Sequence, residues 1–287
     1  MDVLFLDSVS WQQSQALYHA AGYLSREVLF ILRPSSPYIC IGFHQDARQE
    51  IDLEFSNDAQ IPVFRREVGG GAVYLDGQQL FYQLVIRPDH PEVPARKVDF
   101  YKKFLSPVVK TYQDIGIPAI FKPVNDITVN NRKISGNGAA HIGEMFVLVG
   151  NFILDFDYSM MTKVLKVPDE KFRDKVYKTM KDNLTTILQE AGAVPSAQDL
   201  AVLLIKHYEP LLGKINMVEL DDELVQKSEE IFNRMNTPEW LLANDRRLQK
   251  DTRVKIAEGV WVSQNIYKAP GGLIRTTVVN SSGILTN

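Results

Sequence analysis

Cysteine is almost absent: the 287 residues include one, Cys40. A single thiol closes no intramolecular disulfide and builds no cysteine-rich zinc site, so a reduced, cytoplasmic setting is the plain expectation. Long apolar runs are also missing. The uncharged stretch Met145 to Leu154 covers about half of the roughly 20 residues a membrane span requires, and it contains Gly150 and Asn151. The amino terminus, MDVLFLDSVS, has an acid at position 2 and a short apolar stretch, the pattern of a buried strand rather than a signal peptide. No membrane attachment is expected. An excess of one charge is lacking too, since 32 basic residues face 35 acidic ones for a formal net of -3, which argues against a surface built for nucleic acid. The five histidines show no metal-ligand spacing, and no Walker lysine motif occurs.

What remains is the composition of a globular chain, 45% hydrophobic and 23% charged, long enough for one large domain or one with a satellite. Strand-like runs at Val3 to Leu6, Val28 to Leu32, Tyr38 to Gly42, Val63 to Arg66, Ala72 to Leu75, Leu80 to Ile86 and Met145 to Phe156 alternate with helical periodicity. Helices are predicted after a Ser10 cap, over Val98 to Tyr112, and at Met160 to Leu165, Ala197 to Tyr208 and Leu224 to Met235. The Pro34 to Pro37 connection predicts a hairpin between its flanking strands, and Asn130-Asn131 predicts a tight turn between Asp126–Val129 and Arg132–Ser135. The class is α+β, with mixed, mostly antiparallel sheets flanked by helices.

Three clusters carry potential chemistry. In Arg65-Arg66-Glu67-Val68-Gly69-Gly70-Gly71, three glycines after a strand let backbone N–H groups approach an anion, and guanidinium forks bind phosphate or carboxylate oxygens. A lone glycine triplet is more often just a turn. Successive strand residues face opposite ways, so only one arginine of the pair can line a given pocket. In the second cluster, Asn125-Asp126 precedes Lys133-Ile-Ser-Gly136-Asn-Gly138; a hairpin lysine is ordinarily a solvated edge charge, but glycines at 136, 138, 143 and 150 suggest close approach by a ligand or another backbone. Third, Lys163 to Lys181 holds seven basic residues against three acidic ones, a local net of +4. That is either a solvated helix face or a strip aimed at a polyanion such as ATP. Cys40 reads as a small core residue.

Taken together, Arg65-Arg66-x-x-Gly69-Gly70-Gly71-Ala72-Val73, Asn125-Asp126-Ile127 and Arg132-Lys133-Ile134-Ser135-Gly136 resemble the lipoate-protein ligase family, within the wider biotin/lipoate ligase fold, from about residue 3 to about residue 245. The resemblance implies activation of lipoate or octanoate by ATP to acyl-AMP, with Mg2+, followed by acyl transfer to a lysine of a lipoyl-carrier protein. It implies Lys133 as the catalytic lysine. Arg66, Gly69, Gly70, Gly71, Ala72, Val73, Tyr74, Asn125, Asp126 and Gly136 would surround the acyl-adenylate, with Asp126 a metal ligand. Pro168 to Lys175 looks like the family's mobile adenylate-binding loop, which would bring Lys171 and Lys175 to the nucleotide. Val68, Leu75-Asp76 and Asn137-Gly138 depart from the family's usual Ser or Thr, His-Asp and Ser-Ala, which points to a divergent subgroup. A cysteine-dependent octanoyltransferase shares the fold but would need a reactive thiol, and a non-catalytic acyl-adenylate binder is the other alternative. The catalytic domain would span 1–245. Residues 246–287, with Lys268-Ala-Pro-Gly-Gly-Leu-Ile-Arg275, resemble the start of an accessory domain too short to bury its own core, either cut short or completed by a separate subunit.

Overall fold

Alternating apolar residues lay down the central frame, and the computed structural model describes residues 1–245, 252–269 and 272–286. The chain opens with β1 (Asp2–Val9), α1 (Trp11–Tyr23), β2 (Val28–Pro34), β3 (Tyr38–Ile41), α2 (Ala47–Glu50), α3 (Leu53–Asp58), β4 (Val63–Arg65), β5 (Val73–Leu75) and β6 (Gln79–Ile86). It continues through α4 (Lys97–Phe104), α5 (Ser106–Asp114), β7 (Ile120–Lys122), β8 (Asp126–Val129), β9 (Arg132–Ser135), β10 (Asn137–Ile142) and β11 (Met145–Ile153). Then come α6 (Tyr158–Val164), α7 (Glu170–Asn183), α8 (Ile187–Ala191), α9 (Ala197–Leu212), β12 (Asn216–Met217), α10 (Asp222–Met235) and α11 (Pro238–Leu241). The last described elements are β13 (Thr252–Ala257), β14 (Val260–Ala269), β15 (Gly272–Ser281) and β16 (Ile284–Thr286).

A six-stranded mixed sheet, ordered β10-β11-β6-β2-β1-β12, is the spine. One face, with Leu29, Tyr82, Leu84 and Phe152, packs on α4, α5 and α9. The opposite face, with Leu4, Phe30, Leu32 and Val147, packs on α1, α10 and the small β4-β3-β5 sheet. Ser10 starts α1 with a capping box shared with Gln13, which supplies acceptors for the otherwise orphaned first N–H groups. Two sequence expectations change. The proline-bounded connection does not form a hairpin: β2 pairs with β1 and β6, whereas β3 joins β4 and β5 in another sheet. Proline at both ends lacks the N–H groups that a hairpin ladder would use. The helix expected over Val98 to Tyr112 breaks at Leu105 into two, because Pro107 sits in the first turn of α5 and cannot donate backward.

The β8–β9 turn is as the sequence predicts, with Asn130 at φ 48° and Asn131 at φ 64°. The carboxy-terminal sheet, ordered β13-β14-β15-β16, shares its core with the main body: Val254, Val260, Val262 and Val279 cluster with Phe172, Val176 and Met180 of α7. Pro270 and Gly271 of the accessory-like motif lie outside the described residues.

Candidate active site

Between the six-stranded sheet and the β4-β3-β5 sheet lies a cavity of about 210 Å3. Its deeper part is bounded by Val68, Val73, Leu75, Phe81 and Val149, with Gln15 and Tyr18 of α1 at one end. Its outer part is bounded by Arg66, the three glycines, Asn125, Asp126 and Lys133. Lys255 to Glu258, at the β13–β14 turn, complete the wall. An apolar slot therefore opens on a charged, donor-rich mouth.

Arg66 sits in that mouth but is heavily committed. Its Nη2 donates to the carbonyls of Gly69 and Gly71, both at 3.0 Å, and its Nη1 donates to the Cys40 carbonyl at 3.2 Å and Sγ at 3.4 Å. The guanidinium thus fixes the glycine loop while placing its charge beside the cavity. Gly70 holds φ at 113°, which L side chains rarely adopt, and its carbonyl crowds Gly42 so closely that a Cβ there would overlap it. His19 supports the same loop from α1. Its Nδ1 donates to the Gln15 carbonyl at 2.7 Å, leaving Nε2 to accept from the Glu67 N–H at 3.4 Å. Burial lowers the His19 pKa to about 4, so the ring is neutral near pH 7.

Lys133 comes from β9. Its Nζ lies 2.7 Å from Asp126 Oδ1 on the paired strand β8, and its carbonyl accepts from Thr185 N–H at 2.9 Å at the end of α7. Around it, Asn151 Oδ1 accepts from the Gly136 N–H at 2.8 Å. Asn137 Nδ2 donates to the Asn125 carbonyl at 3.0 Å, Asn125 Nδ2 returns a bond to the Asn137 carbonyl, and Tyr82 donates its hydroxyl to Asn137 Oδ1. The hairpin is thereby tied to β6 and β10 rather than left as a free edge.

Arg66, Gly69, Gly70, Gly71, Ala72, Val73, Asn125, Asp126, Lys133 and Gly136 all line the cavity. Tyr74 does not: β5 alternates, so Val73 and Leu75 face the cavity and Tyr74 turns into the cluster around Tyr158 and Met161. Lys171 and Lys175 also fall outside the lining. They ride on α7, a helix rather than a loop, capped by Asp169 and anchored by Phe172, Val176 and Met180. Amphipathic spacing in that stretch favours a packed helix, with its lysines off the buried face. Arg65 points away from the cavity, donating to carbonyls of Gly42, Phe43, Gln45, Trp240 and Leu241. Cys40 lines the cavity yet is fully buried, and burial raises its thiol pKa against the lowering effect of Arg66. Sequence reasoning did not place Gln15, Gln83 or Asn151 at the site, though all three line the cavity. The available signal was a polar residue on an inward position of a largely apolar strand, as at Gln83 and Asn151.

Sheet, slot and lysine-bearing hairpin define a class: enzymes with an apolar cleft closed by a glycine loop and a lysine. The chain belongs to the family described as the lipoyl protein ligase A/B catalytic domain, whose model matches residues 8–209. Lipoate-protein ligase A subunit 1 of Thermoplasma acidophilum is 27% identical over 247 residues, 81% of this chain and 90% of that protein. An octanoyltransferase LipM of Kyrpidia tusciae is 22% identical over 227 residues, 71% of this chain and 82% of that one. A solved structure of an archaeal bi-partite lipoate protein ligase with its E2 lipoyl domain, from T. acidophilum, superposes with a TM-score of 0.73 at 25% identity, covering 87% of this chain and 98% of that chain. Among the described residues, no helix is long and apolar enough to cross a membrane.

Proposed function

We propose that this enzyme is an ATP-dependent lipoate-protein ligase that joins lipoate or octanoate to AMP and then passes the acyl group to a lysine of a lipoyl-carrier protein. The observation that carries the reading is Lys133 at the junction of the apolar slot and the polar mouth, its Nζ 2.7 Å from Asp126. In the first step an acid oxygen attacks the α-phosphorus of ATP, an O–P bond forms and pyrophosphate leaves. In the second the carrier's amine attacks the acyl carbonyl, a C–N bond forms and AMP departs with the C–O electron pair. Negative charge grows on phosphoryl oxygens first and on the carbonyl oxygen second, so one ammonium within reach of both stabilises both steps. The glycine loop, clamped by Arg66, offers backbone N–H groups beside the phosphates.

Two carboxylates line the cavity, Asp126 beside Lys133 and Glu258, which is paired with Lys255 at 2.9 Å; among the described residues no cluster of three His, Cys, Asp or Glu side chains forms a metal cage. Asp126 suits Mg2+ that enters with the triphosphate, since this ion is commonly held by one or two carboxylates plus substrate oxygens. The ion would neutralise phosphate charge. Residues 1–245 form the catalytic unit in this reading, and 246–287 an accessory-like segment. The T. acidophilum relatives, one named a subunit and one described with its lipoyl domain, support a lipoyl domain as acceptor and a separate accessory subunit as partner.

A thioester-forming octanoyltransferase is the second reading, favoured by the LipM relative and by Cys40 at the cavity wall. Thioester chemistry requires a thiolate, which burial of Cys40 opposes. Pyrophosphate release that requires lipoate, and that Lys133→Ala abolishes, is the expected result for the ligase. Acyl transfer from a carrier without ATP, lost in Cys40→Ser, would install the transferase instead.

A further inference from the structure

The deep end of the slot contains an acceptor that no apolar chain can satisfy. Gln83, in the middle of the largely apolar β6, is 2% exposed and lines the cavity. Its Nε2 donates to the Ser14 carbonyl at 2.7 Å. A carbonyl only accepts, so this bond fixes the amide orientation and identifies the other terminus as the oxygen. That oxygen, Oε1, is buried without a hydrogen-bond partner among the described residues. Nearby donors are directed elsewhere: Gln15 Nε2 to the Tyr38 hydroxyl at 2.6 Å, Tyr18 hydroxyl to Gln15 Oε1 at 3.1 Å, and Cys40 Sγ to the same oxygen at 3.6 Å. The position is removed from the reactive end. Asn151 and Phe81 are paired in register near Lys133, while Val149 and Gln83 pair two residues further along, roughly 7 Å away at ordinary strand rise.

Resting on the acyl-slot reading above, we infer that Gln83 is a specificity-determining residue that reads the far end of the acyl chain and selects one bearing a hydrogen-bond donor there. The substrate class is the ω-thiol and ω-hydroxy carboxylic acids, with the reduced dithiol form of lipoate as its branched-thiol member. A plain alkyl end seals Oε1 away from water with nothing to meet it. A thiol or hydroxyl donates to it. Sites built around a polar partner discriminate against an analogue lacking that group far more strongly than they sense an added methylene.

The test compares octanoate, 8-hydroxyoctanoate, 8-mercaptooctanoate and reduced lipoate on the full chain, by calorimetric titration and by acid-dependent pyrophosphate release. Donor-bearing acids are expected to bind about tenfold or more tightly than octanoate, the scale set by one unmet buried acceptor. In Gln83→Leu that preference should vanish or reverse, with octanoate retained. Gln83→Met, closer in length and flexibility, serves as the second variant should leucine perturb folding. Equal affinity of octanoate and 8-hydroxyoctanoate in the unaltered protein overturns the inference, as does a loss in both variants that falls equally on all acids. Binding of none of the acids to the unaltered protein removes the acyl slot itself, an outcome separate from equal binding.

Discussion

Arg65 and Arg66 are neighbours in sequence, but one is turned away from the cavity and the other lines it. Behind β4, Arg65 is 1% exposed and is surrounded by backbone carbonyls, with Asp245 Oδ1 at 3.5 Å. The Trp240 indole N–H returns a bond to the Arg65 carbonyl at 2.9 Å. In front, Arg66 touches carbonyls too, but those of the glycine loop that borders the cavity. The comparison teaches that an arginine pair which looks like one anion-binding motif is half architecture. The back joins distant chain segments, and the front fixes the loop that borders the cavity.

The sharpest way to break this comparison is to remove the back arginine. Arg65→Met strips the carbonyls of Gly42, Phe43, Gln45 and Leu241 of their shared donor, and a loss of roughly 3–5 kcal/mol in unfolding free energy is expected from chemical denaturation, since each buried unmet acceptor costs about 1–3 kcal/mol. Equal destabilisation by Arg66→Met would erase the distinction. Lys133→Ala tests the front in the opposite sense: adenylation should fall about a hundred- to thousandfold in kcat, with a smaller loss of stability than Arg65→Met gives, the part that comes from leaving Asp126 without its partner at 2.7 Å. His19 comes next. Its folded-state pKa is depressed to about 4 from 6.5, so the unfolded chain binds the proton first. Its contribution is complete above pH 6.5 and is lost as pH falls from there towards 4, by about 3 kcal/mol over the whole window. His19→Gln should flatten that part of the stability profile; an unchanged profile would detach the histidine from loop support. The smallest effect is expected for Cys40→Ser, which should leave ATP-dependent ligation within about threefold, as measured by carrier lipoylation, because a buried neutral thiol acts through packing.

Much of the fold was legible because its signals were local. The Asn130-Asn131 turn, the Ser10 cap and the apolar runs of β2, β6 and β11 each declare themselves within a few residues. The Pro34 to Pro37 connection was misleading because strand pairing depends on which sheet receives β3, a long-range matter that composition does not encode. In the site, Lys133 and the glycine loop stood out as polar or flexible breaks. The part Thr185 plays was not legible, since it is a backbone N–H brought to Lys133 from 52 positions away by the course of α7. Lys171 and Lys175 lie outside the cavity lining for the converse reason: charge density is plain in sequence, but the face it occupies on α7 is not.

Sharing of a single apolar cluster by α7 and the carboxy-terminal sheet has a practical consequence for handling the protein. A nick between residues 245 and 252 would sever the chain at a seam that is already zipped on both sides, by Arg65 before it and by Val254, Val260 and Val262 after it. The two fragments are expected to hold together without the covalent link, and their co-elution after cleavage checks it.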